Sequence, residues 1–266
     1  MNLLKRNYDL SDLVNCWKKL KIKKGDIVYI TGNIFFLGLY YNHKNILKDF
    51  LKTLKNALGP RGTIAFPTHS WSLVQSRKIF SIKNTQSESG VFTEFLRKKK
   101  NTHRQFHPFS STSALGHHAK YITNSASRHV YGLNSPFDKL IKLNAKFISI
   151  GLEPNLTCSQ VHHAELMSNV PYRFIKEFTN LVERDKKISL EKFYLHVLYS
   201  SLKNIVRDKN KKIFSSFSKK KIITSKLGKS KIYCYPIKEF HEHTLSLMEK
   251  DIYIWLKRKP QKRLWD

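Results

Sequence analysis

The run Asp26-Ile27-Val28-Tyr29-Ile30-Thr31 decides the fold. It follows a break at Lys23-Lys24-Gly25 and ends at Gly32. A short apolar run between turn residues has the pattern of a strand buried on both faces. Upstream, Ser11 reads as a helix cap before Leu13, Val14, Trp17 and Leu20, which recur at helical spacing. Downstream, Ile46, Leu47, Phe50, Leu51, Leu54 and Leu58 form one helical stripe, stopped by Gly59-Pro60-Arg61-Gly62. Thr63-Ile64-Ala65-Phe66 reads as the next strand, and Gly90 to Lys100 as another helix. Lys146-Phe147-Ile148-Ser149-Ile150-Gly151 repeats the buried-strand pattern. Strand and helix alternate, which predicts an α/β fold. Its expected form is a three-layer α/β/α arrangement around a central, mostly buried sheet.

Past Phe178 the pattern changes. Leu190, Phe193, Tyr194, Val197 and Leu198 predict an amphipathic helix within Glu183 to Lys212. Ile213 to Pro236 is rich in Ser and Lys with short strand-like runs, and Thr244 to Lys257 reads as a terminal helix. No internal repeat or linker interrupts the chain. The expectation is a single domain over 1–266, with its motifs in 25–176 and a C-terminal elaboration over 179–266.

Composition sets limits. A chain of 266 residues, 41% hydrophobic and 12% aromatic, can bury a core, which excludes wholesale disorder. No run approaches the ~20 apolar residues of a membrane span. Met1 to Arg6 has no long apolar stretch and no small-residue cleavage site, so no signal peptide is expected. Three widely spaced cysteines, Cys16, Cys158 and Cys234, argue against a disulfide framework and for a reducing cytoplasm. The formal charge is +30. Lysines are spread along the whole chain and no nucleic-acid-binding motif occurs, which favours solvated surfaces over a nucleic-acid footprint. The positive field attracts a polyanionic cofactor or a nucleotide-linked substrate. The twelve histidines show no metal-ligand spacing, so no metal is expected.

Five segments carry chemistry. In Ser159-Gln160-Val161-His162-His163-Ala164-Glu165, His162 and Glu165 share one face of a helical turn. A neutral imidazole accepts a proton near pH 7, and a carboxylate beside it stabilises the charged form. This pair can deprotonate an amine that attacks an acyl group. Cys158 nearby reads either as a nucleophile partnered by His162 or as a small buried side chain. In Val170-Pro171-Tyr172-Arg173-Phe174-Ile175-Lys176, Arg173 and Lys176 read as a phosphate or carboxylate grip or as a solvated helix face. Ile30-Thr31-Gly32-Asn33-Ile34-Phe35-Phe36-Leu37-Gly38 is a strand-to-helix junction whose backbone amides suit a phosphate. Gly62 to Ser70, with Thr68 and His69, ends a strand. Arg104 to Gly116 holds His107-Pro108 and Ser111 in an expected loop.

Together these segments resemble the aminoglycoside 3-N-acetyltransferase family. His162 falls on the family's catalytic histidine, Glu165 on its acidic partner and His163 on a variable position. Leu37 and Gly38 match the coenzyme A-binding run, while Thr31-Gly32-Asn33 replace its His-Ser-Ser. Ser135-Pro136-Phe137-x-x-Leu140 is a further landmark, read as structural. The resemblance implies acetyl-CoA or another acyl-CoA as donor and a sugar amine as acceptor. On that basis His162 and Glu165 are the expected catalytic residues. Thr31, Gly32, Asn33, Gly38, His107 and Ser111 are expected at the acyl-CoA, and Thr68, Tyr172, Arg173 and Lys176 at the acceptor.

With 19 acidic against 49 basic residues, a nucleotide-linked amino sugar suits the chain better than a polycationic drug. The Val-Pro-Tyr-Arg run also looks like that of surface-polysaccharide sugar enzymes. The alternatives are an aminoglycoside-resistance acetyltransferase and, in another class, a non-catalytic basic nucleic-acid-binding protein. The oligomeric state is left open.

Overall fold

A computed structural model describes residues 6–74, 76–124, 127–199, 205–217 and 219–260. The N-terminal Met1 to Lys5, read above for a signal peptide, lie outside the described residues. The strands are β1 (Ile27–Gly32), β2 (Thr63–His69), β3 (Phe80–Ser81), β4 (Thr102–Arg104), β5 (Ser110–Gly116), β6 (Lys146–Ile150), β7 (Arg173–Arg184), β8 (Lys187–Leu198), β9 (Ile223–Leu227) and β10 (Ser230–Pro236). The α-helices are α1 (Leu10–Lys19), α2 (Ile46–Leu58), α3 (Val91–Arg97), α4 (Ala119–Thr123), α5 (Pro136–Lys142), α6 (Pro154–Thr157), α7 (Val161–Met167), α8 (Lys211–Ser216) and α9 (Ile237–Lys250).

Seven strands form the central sheet in the order β4-β5-β2-β1-β6-β10-β9. Its middle, β2-β1-β6, is parallel, and its flanks are antiparallel. Successive side chains of β1 divide between two cores, as a strand's period of two requires. Val28 and Ile30 pack with Leu13, Trp17, Phe50, Leu54 and Phe92 from α1, α2 and α3. Ile27 and Tyr29 pack with Ile122, Phe137, Val161 and Phe240 from α4, α5, α7 and α9. Each fully buried Leu or Phe contributes about 1.5–3 kcal/mol. The expected three-layer α/β/α fold is what the chain forms.

β1 leads to α2 on one face of the sheet and β6 leads to α7 on the other. Adjacent parallel strands whose connections diverge leave a crevice at their carboxyl ends, where α/β proteins bind ligands. Gly32 and Gly151 sit there with φ of 115° and 71°. A Cβ on Gly32 would lie 2.2 Å from the Ile150 carbonyl oxygen, so only glycine lets β1 and β6 meet this closely.

Four expectations are corrected. Helix α1 starts at Leu10, capped by Asp9 in a reciprocal capping box with Asp12, so Ser11 lies inside the helix. Residues 110–116 are strand β5, paired with β2 from Thr63↔Gly116 to His69↔Ser110, rather than loop. The terminal helix begins at Ile237, directly after Pro236, and stops at Lys250. The helix expected over 183–212 is instead part of a long antiparallel hairpin, β7-β8, with β3 beside it. Residues 200–204 of that expected helix lie outside the described residues. The hairpin covers a third core of Leu73, Phe80, Phe109, Val182 and Phe193. Ser135 caps α5 with Pro136 in its first turn, a structural role as read from sequence.

Candidate active site

Helix α7 follows the β6 crevice and places His162 and Glu165 one turn apart. The His162 Nδ1–H donates to Glu165 Oε2 at 2.7 Å. Glu165 is fully buried, while 23% of the His162 side chain remains exposed. Because Nδ1 is engaged, the basic lone pair falls on Nε2. On the other side of Glu165, Arg173 Nε lies 2.9 Å from the same Oε2. Arg173 also donates through Nη1 to the His196 carbonyl at 2.9 Å.

Burial alone would raise the Glu165 carboxyl. Its hydrogen bond from His162 and the Arg173 charge outweigh that and hold it below the usual carboxylate range, so it is ionised. Burial lowers the His162 imidazole, and Glu165 opposes that by favouring the charged form. The net shift is downward, which keeps the imidazole neutral near pH 7.

Trp255 backs the site. Its ring meets His162 edge-on at 5.3 Å and stacks with Tyr172, and Arg173 lies 4.8 Å from its centroid. Trp255 Nε1 donates to Asn210, whose own amide holds the Asn155 carbonyl at 2.9 Å. In front of His162 opens a cleft of about 330 Å³, lined also by Leu156, Ser159, Arg207, Lys209 and Trp255. Arg207 and Lys209 are exposed and flank the buried Asp208.

Motif reading did not single out Arg207, Lys209, Asn210 or Trp255. They lie in the Lys-rich C-terminal half, where composition hides two cleft cations among many surface ones. The Trp255 ring was the available signal, since few residues bury so much apolar area.

Several expected site residues take other places. Arg173 and Lys176 lie on a strand, not a helix, so an odd spacing of three sends them to opposite faces. Arg173 is committed to Glu165, and Lys176 lies over Phe178, so they do not form a joint phosphate grip. Tyr172 is fully buried against Trp255, behind the cleft. Thr68 is also buried, bonded to the Ser111 and Ser113 hydroxyls at 3.1 and 2.8 Å.

Ser111 donates to the Thr68 carbonyl and accepts from Arg104 Nε, both at 2.8 Å. His107 is enclosed by Phe109 and Phe193, and burial pushes its imidazole down to about 3. Neither side chain opens onto the His162 cleft. At the β1 junction the amides are satisfied internally. Asn33 N–H reaches the Ile150 carbonyl at 2.8 Å, and Phe35 N–H reaches Asn33 Oδ1 at 3.0 Å. Phe36 and Gly38 N–H bond within the same turn, so these amides do not form an open phosphate cradle.

Thr31, Gly32 and Asn33 are half-buried at the crevice. Crevice and cleft adjoin, because Ser149 Oγ on β6 lies 2.8 Å from Thr157 Oγ1, which lines the cleft. His163 is buried and accepts the Gly132 N–H at 3.1 Å, a packing role. Burial pushes the Cys158 thiol up to about 12, which keeps it protonated and removes it as a nucleophile. Among the described residues, no group of three His, Cys, Asp or Glu is placed to hold a metal.

The profile of the aminoglycoside 3-N-acetyltransferases matches residues 42–249, most of the chain. The chain belongs to the aminoglycoside 3-N-acetyltransferase family. Accordingly it is an N-acetyltransferase with acetyl-CoA as co-substrate. Solved structures share the fold at low identity. YokD from Bacillus subtilis is 18% identical, with a TM-score of 0.76 over 91% of this chain and 99% of that one. AAC-IIIb, solved as a binary complex with CoASH, is 19% identical, with a TM-score of 0.79 over 95% and 99%. AAC-VIa bound to sisomicin is 18% identical, with a TM-score of 0.78 over 91% and 98%. No curated protein matches the sequence.

Proposed function

We propose that this member of the family, as one catalytic domain, N-acylates a phosphate-bearing amino sugar, with His162 as general base. The observation that carries the reading is the Nδ1 contact to Glu165 at 2.7 Å, which leaves Nε2 as the base at a cleft flanked by Arg207 and Lys209. Nε2 takes a proton from the amine as its nitrogen bonds to the thioester carbonyl carbon. The C–S bond then breaks, and the imidazolium returns the proton to the departing thiolate. Glu165 stabilises the imidazolium between these events, and Arg173 keeps Glu165 ionised.

The acyl donor is acetyl-CoA or a related acyl-CoA. The crevice at the carboxyl ends of β1 and β6 suits its entry, with half-buried Thr31, Gly32, Asn33 and Gly38 beside it. Arg207 and Lys209 take the role that sequence reading gave to Arg173 and Lys176, a bidentate fork beside a point charge for phosphate.

A second reading, acetylation of an aminoglycoside, is supported by family membership and by the sisomicin held in AAC-VIa. Kinetics decide between them. The first reading expects higher kcat/KM with a nucleotide-linked amino sugar than with sisomicin, an advantage that shrinks as salt rises. Arg207→Ala should raise KM for the charged acceptor more than for a neutral amino sugar. Faster turnover of sisomicin at low salt would restore the resistance reading. His162→Ala should lower kcat by about 10²–10⁴-fold with acyl-CoA binding retained.

A further inference from the structure

The turn after β1 carries two exposed aromatics. Phe35 is 73% and Phe36 51% accessible, although Ile34 and Leu37 on either side are buried. Asn33 caps the turn, and the Leu39 N–H that follows it donates to Asn7 Oδ1 at 2.7 Å. Phe36 adjoins the loop after β6, since a Cβ on Gly151 would come within 2.9 Å of the Phe36 Cβ. That loop leads to Leu156, 55% accessible and a lining residue of the His162 cleft.

Exposed basic residues flank this apolar patch on two sides. Lys229 N–H bonds the Leu37 carbonyl at 2.9 Å, and the Lys231 carbonyl accepts the Gly151 N–H at 3.0 Å. Opposite, Asn155 Nδ2 bonds the Lys209 carbonyl at 3.2 Å, two residues from Arg207. Of the acids here, Glu153 is engaged by the Tyr233 hydroxyl and Asp208 is buried between Arg207 and Lys209.

We propose that this face docks on an anionic lipid bilayer, with Phe35, Phe36 and Leu156 at headgroup depth and the lysines on the lipid phosphates. Aromatic residues ringed by Lys and Arg are the pattern of interfacial binding, where apolar burial and attraction to anionic lipid add. Charge complementarity selects this occupant over an acidic protein: the apolar centre needs a hydrocarbon boundary while its rim needs a sheet of negative charge. The docking face shares its rim with the cleft of the acyltransfer reading, but vesicle binding is measured without turnover, so either can fail alone. That the bilayer presents a membrane-held amino sugar to His162 rests on that reading.

Co-sedimentation of the full chain with vesicles tests docking directly. Phosphatidylglycerol–phosphatidylcholine vesicles should bind the protein, and pure phosphatidylcholine at least tenfold less. Phe35→Ser with Phe36→Ser should lower partitioning at least tenfold, with unchanged thermal melting. Lys229→Glu with Lys231→Glu should do the same at 0.1 M NaCl. Equal partitioning of the double Phe variant, or binding that rests on charge alone and vanishes by 0.5 M NaCl, would overturn the proposal. So would a dimer in sedimentation velocity that the Phe substitutions dissolve, since the occupant would then be a second copy of this chain.

Discussion

Glu165 is fully buried between an imidazole and a guanidinium, at 2.7 and 2.9 Å. Removing one partner of such a buried pair leaves an uncompensated charge, which costs about 3–5 kcal/mol. Arg173→Met should therefore destabilise the protein by about that amount in urea unfolding, as well as slowing it. A purely substrate-binding arginine would leave unfolding unchanged. The pH profile reports the other half of the triad. His162 titrates below the ordinary imidazole value of about 6.5, so the acid limb of kcat/KM should lie below that pH. Glu165 favours the imidazolium, and Glu165→Gln should move the limb further down. A limb that rises in this variant would remove Glu165 from its assigned part. At this scale the sequence was informative about His162 and Glu165, because residues three apart on a helix share a face whatever the surroundings. It was uninformative about Arg173, whose direction depended on whether its segment was helix or strand.

That segment is the β7-β8 hairpin. Leu190, Phe193, Tyr194, Val197 and Leu198 satisfy helical spacing, yet they pair in a twelve-residue register from Arg173↔Leu198 to Arg184↔Lys187. The competing signal was the turn. Asp185 and Lys186 both adopt positive φ, 48° and 66°, as a two-residue hairpin loop requires. No glycine marks that turn, so the helix expected from Glu183 ran through it and along the second strand. Cross-strand charges then fix the pairing: Lys192 meets Glu177 at 2.9 Å, and Glu191 holds both Arg184 and Arg128. The strained turn yields a prediction. Lys186→Gly should stabilise the protein by about 1 kcal/mol, because glycine enters the left-handed region without a Cβ clash. A rise of about 2–4 °C in melting temperature is expected for a chain of this size. Unchanged or lower melting would show that the turn is relaxed as it stands.

Across the whole molecule, the layered fold was readable because β1, β2, β6 and α2 each announce themselves by periodicity. The charge distribution was not, because composition cannot say which lysines line a cleft. Nor could it say which of twelve histidines are buried. His107 and His163 are 0% and 2% accessible, and burial pushes their imidazoles down to about 3 and about 4. In the unfolded chain both titrate near 6.5. Below that pH the unfolded state binds protons that the folded state refuses, so stability is complete above about 6.5 and declines toward 4. One pH unit below 6.5, each contributes a loss of about 1.4 kcal/mol. Melting temperature should therefore fall between pH 7.5 and 5.5, before the lowered carboxylates Glu94 and Glu165 begin to protonate. A flat profile over that range would contradict their burial.

Trp255 stands 79 residues beyond Lys176, yet it forms the wall behind His162. The quoted motifs are complete once residue 176 is made, but the pocket they serve is not. During synthesis the ribosome must deliver some eighty further residues before that wall can close. Contacts over such separations form late, after costly loop closure. A nascent chain stalled before Trp255 thus carries every motif and an open-backed cleft.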